Sequence, residues 1–259
     1  RPIKAYPNAP QRLADPRAAQ IDMVILREST EGLFYSAAAH KRSEVIGDTE
    51  VRDTLRITRA TTEKLHNFAF KLAQKRKERG KPGHVTCVDK ANVFTSMAFF
   101  RKIFDEIKPN YPDIEANYNY VDAQALDLVR RPWDFDVMVM ENMFGDILSD
   151  LGGGLVGGMG MAACAEIGDD NGLFQPAHGS APDIMGQDKA NPLAAILSGA
   201  LMLDYLGERS GDSRYTDAAA LIDASVEKGF AANALRPMEF GGDMGTLATT
   251  REVVGGLKG

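Results

Sequence analysis

The chain has few of the residues that mark several large classes of proteins. Its 259 residues include two cysteines, Cys87 and Cys164, too few for a disulfide framework and without zinc-ligand spacing. No apolar run approaches the roughly 18 residues that a membrane-spanning helix needs, and no signal-peptide pattern is visible. We therefore expect a protein of a reducing, cytoplasmic compartment that does not act in a membrane.

An excess of positive charge is also missing. The net charge is −6 and charged residues make up 25% of the chain. The only basic block, residues 71–81, ends a helical pattern, where cations complement the helix dipole. This balance excludes nucleic acid as an expected partner.

Strand-like and helix-like patterns alternate between residues 20 and 150. Apolar runs at 21–26, 84–89, 114–121 and 135–140 predict strands. Helical patterns lie between them, the longest from about residue 52 to 79, and residues 37–50 could form an arm or hairpin. The alternation predicts an α/β sandwich.

Residues 157–259 show a different pattern, with helices predicted at 190–206 and 217–227 but few convincing strands. A sheet for these helices to cover is missing, and the chain begins at Arg1 without a methionine. We therefore expect that an N-terminal part of this domain lies outside the sequence.

The stretch from Glu141 to Asp150 attracts the most attention. It follows a buried-strand pattern and places Asp146 and Asp150 four apart, hence one turn apart on a predicted helix. Two carboxylates this close repel unless a proton or a cation lies between them, and Mg²⁺ or Mn²⁺ suits oxygen-only ligands. A solvated acidic helix face is the alternative interpretation.

Polar groups also follow the other predicted strands. Arg27, Lys90 and Asp122 each stand at a strand's carboxyl end, where open α/β sheets place ligand contacts. Each is weak evidence for a ligand contact alone, but their repetition at equivalent places in the predicted topology is better evidence.

Five motifs, taken together, resemble the β-decarboxylating dehydrogenases, which comprise isocitrate, homoisocitrate, 3-isopropylmalate and tartrate/malate dehydrogenases. They are residues 27–32 (Arg-Glu-Ser-Thr-Glu-Gly), 89–93 (Asp-Lys-Ala-Asn-Val), 121–122 (Val-Asp), 141–150 (Glu-Asn-Met-Phe-Gly-Asp-Ile-Leu-Ser-Asp) and 178–183 (His-Gly-Ser-Ala-Pro-Asp). The motifs occur in the family's order and span most of the chain.

The resemblance implies a two-domain α/β sandwich like that of isopropylmalate dehydrogenase. Residues 1–156 would form a small α/β domain with a dimerisation arm and the metal and substrate residues. Residues 157–259 would form the C-terminal part of a large, NAD-binding domain whose N-terminal part is absent from this sequence.

The resemblance also implies the chemistry. A 2-hydroxy acid with a carboxylate on C3 would be oxidised at C2 and would then lose that carboxylate. In a homodimer with a shared active site, Lys90 and Asp122 would reach the site from the partner subunit. The implied metal ligands are Asp122, Asp146 and Asp150, the catalytic lysine is Lys90, and the substrate-binding arginines are Arg1 and Arg27.

One position departs from the family pattern. The family's tyrosine that protonates C3 falls at Phe34, which cannot transfer a proton. Tyr35 comes next, so our hypothesis is that Tyr35, or water, takes over this step.

The cofactor site has no ordinary dinucleotide fingerprint, because no Gly-x-Gly-x-x-Gly follows a predicted strand. By resemblance the segment from His178 to Pro192 would bind NAD, and the carboxylate of Asp183 would repel the 2′-phosphate of NADP. A loop aspartate that caps a turn is the alternative. The implied contacts are His178, Gly179, Ser180, Ala181, Asp183 and Asn191.

Together these features predict an NAD- and Mg²⁺- or Mn²⁺-dependent dehydrogenase. Its substrate would be a small hydroxy di- or tricarboxylate, a substituted malate such as 3-isopropylmalate, with isocitrate, homoisocitrate and tartrate or malate still open. The alternative function is a non-catalytic regulatory or ligand-binding homologue, which Phe34 alone favours.

Overall fold

The computed structural model describes residues 1–37 and 43–258. Two compact units make up these residues. Unit 1 contains residues 1–21 and 150–259, and unit 2 contains residues 22–149. No helix of the described residues is both long and apolar enough to cross a bilayer.

Strands and helices alternate from residue 59 to residue 155, and the described residues end in three successive α-helices. The strands are β1 (Pro2–Lys4), β2 (Asp22–Arg27), β3 (Glu44–Ile46), β4 (Glu50–Arg52), β5 (His84–Asp89), β6 (Glu115–Tyr120), β7 (Val137–Met140), β8 (Ala163–Ile167) and β9 (Gly172–Pro176). The α-helices are α1 (Arg59–Glu78), α2 (Thr95–Ile107), α3 (Val121–Arg130), α4 (Asn142–Leu155), α5 (Leu193–Ser210), α6 (Ser213–Ala231) and α7 (Thr246–Gly256).

Unit 2 is built on a parallel sheet with the strand order β2–β7–β5–β6. Its register pairs Arg27 with Met140, Val88 with Met140, and Asp89 with Tyr120. The four strands therefore end together, and the residues that follow them meet along one edge of the sheet. The predicted strand–helix alternation is confirmed here.

The sheet is buried because helices cover it. All four residues of β7 are fully buried, as expected for a central parallel strand. Phe70 of α1 stacks on Phe104 of α2 and on Tyr111, with ring centroids 5.1 and 4.9 Å apart. This aromatic layer belongs to a core that includes Val85 of β5.

Helix α1 begins at Arg59, later than the helix predicted from about residue 52. The intervening residues follow an antiparallel hairpin in which Val45 of β3 pairs with Val51 of β4. A hairpin is one of the two forms that we predict for residues 37–50, and residues 38–42 of that segment lie outside the described residues. Thr58, in an extended conformation, forms the N-cap of α1.

Unit 1 contains helices α5 and α6, the hairpin β8–β9 and helix α7. Its core includes Leu193 of α5, Val226 and Phe230 of α6, and Val253 of α7. The hairpin pairs its two strands antiparallel from 163 to 176. We do not predict it from the sequence, because its strands are short and one contains glycine and proline.

The N-terminal residues belong to unit 1, so the division differs from the predicted 1–156 and 157–259. Lys4 Nζ lies 2.6 Å from Asp223 Oδ2 and 3.0 Å from Glu227 Oε2. The Tyr6 hydroxyl donates to Asp223 Oδ1 at 2.6 Å. Together with Tyr6 and Ala9 in the core of unit 1, these long-range contacts tie the segment to α6. Sequence periodicity carries no information about such contacts.

Candidate functional site

The carboxyl edge of the sheet in unit 2 gathers the predicted polar residues of that unit. Arg27 ends β2, Lys90 follows β5, Asp122 lies in the first turn of α3 after β6, and Asp146 lies on α4 after β7. Parallel strands place their carboxyl ends together, which is why four separate motifs of the sequence share one edge.

Arg27 is held by several groups at this edge. Its Nη1 forms an ion pair with Asp146 Oδ1, and its Nε donates to Asn142 Oδ1 at 2.8 Å. The guanidinium carbon lies 5.4 Å from the centre of the Phe34 ring. Gly145 is required beside it, since a Cβ there would lie 2.5 Å from the Cβ of Arg27.

Lys90 pairs with Asp122, with 2.5 Å between Nζ and Oδ1. This hydrogen bond from Lys90, followed by the backbone N–H of Asp122 itself, holds the pKa of the Asp122 carboxyl below its ordinary value. Lys90 Nζ also lies 5.7 Å from the centre of the Tyr120 ring.

A buried carboxylate fixes the turn that carries Lys90. Asp89 accepts a hydrogen bond from the backbone N–H of Ala91 at 2.8 Å. Its two oxygens also accept from Nε and Nη2 of Arg101, both at 2.7 Å. The Arg101 guanidinium lies over the Tyr118 ring at 4.5 Å. The sequence offers only an adjacent Asp-Lys pair as a signal for this support.

Three further buried acids hold the loops at this edge. We do not predict this structural role from the sequence. Glu28 accepts from Thr30 and the backbone N–H of Glu31, and Glu31 accepts from the backbone N–H and hydroxyl of Thr58. Glu141 Oε1 accepts from the backbone N–H of Phe144 in the first turn of α4. Burial raises the pKa of the Glu141 carboxyl.

Arg1 and Asp150 form the corresponding pair in unit 1. Arg1 Nη1 lies 3.1 Å from Asp150 Oδ1, and the side chains are 13% and 56% exposed respectively. Asp146 and Asp150 stand four residues apart on the same helix, α4, as predicted.

The structure places Phe34, rather than Tyr35, beside Arg27. The ring of Tyr35 lies beneath the guanidinium of Arg56, 4.7 Å from its carbon to the ring centre. The catalytic role of Tyr35 therefore stays a prediction, and its ring contacts an arginine other than Arg27.

The predicted cofactor segment is an exposed loop of unit 1 between β9 and α5. His178 Nδ1 donates to the carbonyl of Gly179 at 2.7 Å, and Ala181 adopts a left-handed conformation with φ of 44°. Ser180 and Asp183 are exposed. Asn191, at the far end of the loop, accepts from the backbone N–H of Leu193 at 3.1 Å.

Two acids that the motifs do not include anchor this loop. Glu239 accepts from Asn191 Nδ2 at 2.9 Å and from the backbone N–H of Gly160 at 3.0 Å. Asp188 Oδ1 accepts from the backbone N–H of Leu247 in the first turn of α7 at 2.9 Å. No spacing rule could find them, because the partners lie 48 to 79 residues apart.

A complete metal-ligand set does not occur among the described residues of one chain, in which no three His, Cys, Asp or Glu side chains are close enough to hold an ion. The prediction takes Asp122 from a second subunit, so a single chain does not test it. Asp146 and Asp150 are 40% and 56% exposed, and Asp122 is 68% exposed. Accessible carboxylate oxygens are the donors that Mg²⁺ and Mn²⁺ prefer.

Comparison with known proteins identifies relatives of the whole chain. The sequence model of the isocitrate/isopropylmalate dehydrogenase family matches residues 1–256. The chain is 43% identical to a 3-isopropylmalate/3-methylmalate dehydrogenase of Methanocaldococcus jannaschii, over 98% of this chain and 71% of the relative. It is 42% identical to a 3-isopropylmalate dehydrogenase of Carboxydothermus hydrogenoformans, over 92% and 60%. A homoisocitrate dehydrogenase of M. jannaschii is 46% identical over 74% and 52%.

Solved structures show the same fold. An isocitrate dehydrogenase from Methylococcus capsulatus superimposes with a TM-score of 0.86 at 34% identity, over 100% of this chain and 72% of that one. The TT0538 protein from Thermus thermophilus gives 0.85 at 32% identity, over 100% and 49%. The chain spans 52% to 71% of the three curated relatives named above. The α/β fold predicted from the sequence is confirmed, and the chain belongs to the isocitrate/isopropylmalate dehydrogenase family.

Proposed function

We propose that the protein is an NAD- and Mg²⁺- or Mn²⁺-dependent dehydrogenase that oxidises a 3-carboxy-2-hydroxy acid and releases its C3 carboxylate as CO₂. The observation that carries the proposal is a repeated pairing. Each carboxylate assigned to the metal is ion-paired with a cation assigned to the substrate or to proton transfer. The pairs are Arg27–Asp146, Lys90–Asp122 and Arg1–Asp150.

In the proposed enzyme, these ion pairs would separate when ligands bind, and each side chain would then contact a ligand. The carboxylates of Asp122, Asp146 and Asp150 would hold the divalent ion, which when bound supplies Lewis-acid polarisation of the substrate oxygen on C2. The guanidinium groups of Arg1 and Arg27 would then bind substrate carboxylates, for which a planar bidentate donor is well shaped.

The nicotinamide, when bound, would supply the hydride acceptor. Lys90 would take part in removing the proton of the C2 hydroxyl, which only the neutral amine form of its Nζ can accept. Its position depends on the turn that Asp89 and Arg101 fix. The C3 proton is returned after CO₂ loss by Tyr35 or by water, because Phe34 has no proton to give.

NAD is the expected cofactor, bound by the loop of unit 1. Asp183 is exposed there, and a carboxylate in contact with the adenosine ribose accepts from its hydroxyls but repels a 2′-phosphate. His178, Gly179, Ser180, Ala181 and Asn191 are the other proposed contacts. The hydrogen bonds of Asn191 to Glu239 and Leu193 support this assignment, because they give the amide a defined orientation.

A homodimer with shared sites is part of the proposal, with Lys90 and Asp122 serving the partner's site. Exposed apolar side chains in unit 2 support it. Leu126 and Val129 on α3 are 55% and 50% exposed, and Val45 and Val51 on the β3–β4 hairpin are 66% and 62% exposed. Leu126 and Val129 are three residues apart on one helix and Val45 pairs with Val51, so each pair is contiguous, and contiguous exposed apolar groups commonly mark a protein interface. Two buried free thiols, Cys87 and Cys164, suit a cytoplasmic location.

The substrate is proposed to be a substituted malate such as 3-isopropylmalate, since two of the three curated relatives named above carry that activity in their names. A panel of 3-isopropylmalate, 3-methylmalate, homoisocitrate, isocitrate, tartrate and malate, each with NAD or NADP and Mn²⁺, tests it. We expect NADH formation with at least one substituted malate and loss of the rate with EDTA. No turnover of any acid by folded protein would contradict the proposal.

A non-catalytic homologue is the second candidate, and Phe34 at the position of the family's tyrosine is the observation that favours it. Binding of the same acids without NADH formation, measured by calorimetry, would support this candidate.

A further inference from the structure

Asn142, the first residue of α4, has an unusual position for an amide side chain. It is only 1% exposed, and both ends of its amide bond to residues more than 100 positions away. Its Oδ1 accepts from Arg27 Nε at 2.8 Å, and its Nδ2 donates to the carbonyl of Glu31 at 3.0 Å. Only one orientation of the amide satisfies both bonds, because the carbonyl of Glu31 cannot donate and Nε cannot accept.

The same contact determines which nitrogen atoms of Arg27 remain for a ligand. Asn142 accepts a hydrogen bond from Nε, and Asp146 forms an ion pair with Nη1. Among the residues that the structure describes, Nη2 has no hydrogen-bond partner. The Phe34 ring and Gly145 lie against other parts of the side chain. Arg27 is therefore held at Nε and Nη1, and its Nη2 remains for an anion.

We propose that Asn142 is a positioning residue, which orients the guanidinium of Arg27 toward a carboxylate of the substrate. The inference rests on the proposed function, because the ligand of Arg27 is taken to be a substrate carboxylate. Bidentate recognition of a carboxylate, through Nη1 and Nη2 once Asp146 has released Nη1, requires the plane of the guanidinium to be fixed. A bond from a buried amide to Nε fixes that plane without adding a charge that competes with the substrate.

The first test measures how well the side chain of Arg27 is held, and it does not depend on enzyme activity. The Nε–Hε signal of Arg27 is observed by NMR of arginine-labelled protein and assigned by its loss in Arg27→Lys. In Asn142→Ala we expect Hε to exchange with water at least about tenfold faster, since a hydrogen bond to a charged group is lost. The matched control is Asn67→Ala, which removes an amide that donates to Glu63 and accepts from Tyr111, and which should leave the signal unchanged.

Two further variants separate positioning from folding. Asn142→Asp keeps an acceptor for Nε and is expected to keep the slow exchange. Asn142→Gln keeps the amide but displaces it by one methylene, and is expected to give fast exchange even if Asn142→Ala does not fold. If Hε of Arg27 exchanges as slowly in Asn142→Ala as in the unaltered protein, the inference is overturned. If Asn142→Ala does not fold, the same result in Asn142→Gln overturns it.

The second test uses turnover. In Asn142→Ala we expect KM for the hydroxy acid to rise about tenfold while KM for NAD stays the same. The same substitution in an Arg27→Ala background should add no further loss of kcat/KM, because Asn142 acts through Arg27. Equal effects on both KM values, or losses that add in the double variant, would show a merely structural role. Absence of turnover in the unaltered protein overturns the proposed function, whereas the Hε exchange still decides the role of Asn142.

Discussion

Asp183 is the residue whose charge should choose the cofactor. An exposed carboxylate in the proposed adenosine-binding loop disfavours the 2′-phosphate of NADP by like-charge repulsion. We expect Asp183→Lys to lower kcat/KM for NAD at least about tenfold, on the order of a lost charged hydrogen bond, and to raise it for NADP. Initial rates with each cofactor measure both values of kcat/KM.

The control is Asp169→Lys, because Asp169 lies outside the loop. Asp188→Asn is unsuitable as a control because Asp188 anchors α7. Unchanged NAD kinetics in Asp183→Lys would refute the assignment.

Tyr35 carries the proton-transfer hypothesis that Phe34 makes necessary. If Tyr35 supplies the C3 proton, Tyr35→Phe should slow steady-state CO₂ formation at least about a hundredfold, because each new turnover waits for C3 to be protonated, while Mn²⁺ binding persists. Stopped-flow detection of CO₂ and a Mn²⁺ titration measure the two quantities. Tyr215→Phe, on the exposed surface of α6, is the control. An unchanged rate would leave water as the proton source.

His66 should make the stability of the fold depend on pH. It is fully buried between Phe100 and Phe104, and burial lowers its pKa to about 4 from an ordinary value of 6.5, although its Nε2 bonds to the Phe100 carbonyl. Between pH 6.5 and 4, His66 is protonated in the unfolded chain but stays neutral in the folded chain. The free energy of unfolding should therefore fall by about 3 kcal/mol as the pH drops through that window.

Urea unfolding at several pH values measures this dependence. His66→Gln should unfold more easily at pH 7 but lose most of its pH slope between 6.5 and 4. The control is His178→Gln, which replaces an exposed histidine and should keep the slope of the unaltered protein. An equal slope in His66→Gln would show that other groups cause the acid sensitivity.

At the scale of elements, the loop after β2 is fixed against the start of α4. Gly32 has a φ of 71°, and a Cβ on it would lie 2.3 Å from Glu141 Oε2 and 2.9 Å from the Cβ of Asn142. Gly32 also exchanges two backbone hydrogen bonds with Arg56, at 2.8 and 3.1 Å. A side chain here would disturb the loop and the first turn of α4 together.

Gly32→Ala is therefore expected to destabilise the protein by about 3 kcal/mol, of which about 1 comes from a backbone conformation (φ 71°, ψ −150°) that essentially only glycine adopts and about 2 from overpacking. Gly47→Ala is the matched control, because Gly47 has a φ of 57° but open space around its Cβ position. Denaturant unfolding of both variants isolates the steric part. Equal losses in the two variants would mean that Glu141 moves aside without cost.

At the scale of the whole molecule, the proposed sharing of active sites between subunits can be tested by mixing two inactive variants. Lys90→Ala and Arg27→Ala homodimers should each be nearly inactive. A heterodimer of the two would contain one site with both residues intact if, as proposed, Lys90 serves the partner's site. Random reassociation should therefore restore about a quarter of the activity of the unaltered protein.

The control for this experiment mixes Asp146→Asn with Arg27→Ala, whose residues lie in the same site of the same subunit. No activity should return in that mixture. Return of activity in neither mixture would show that each subunit works alone. Leu126→Asp in the exposed face of α3 should also shift the protein toward monomer in analytical ultracentrifugation and lower its activity.

The sequence alone determined much of the fold, since strands and helices follow from local patterns of apolar residues. The runs at 21–26, 84–89 and 135–140 became parallel strands, and the turn residues after them lie along one edge of the sheet. The order and spacing of the motifs also sufficed to identify the family, because that information is carried by residue types at fixed positions.

Only the tertiary structure decided which side chains meet. Arg27 and Asn142 lie 115 residues apart, and nothing local links Asn191 to Glu239. The same holds for the N-terminal residues, whose contacts with α6 placed them in unit 1. These contacts depend on strand order and on the packing of buried polar groups, which are properties of the folded chain and leave no periodic trace in the sequence.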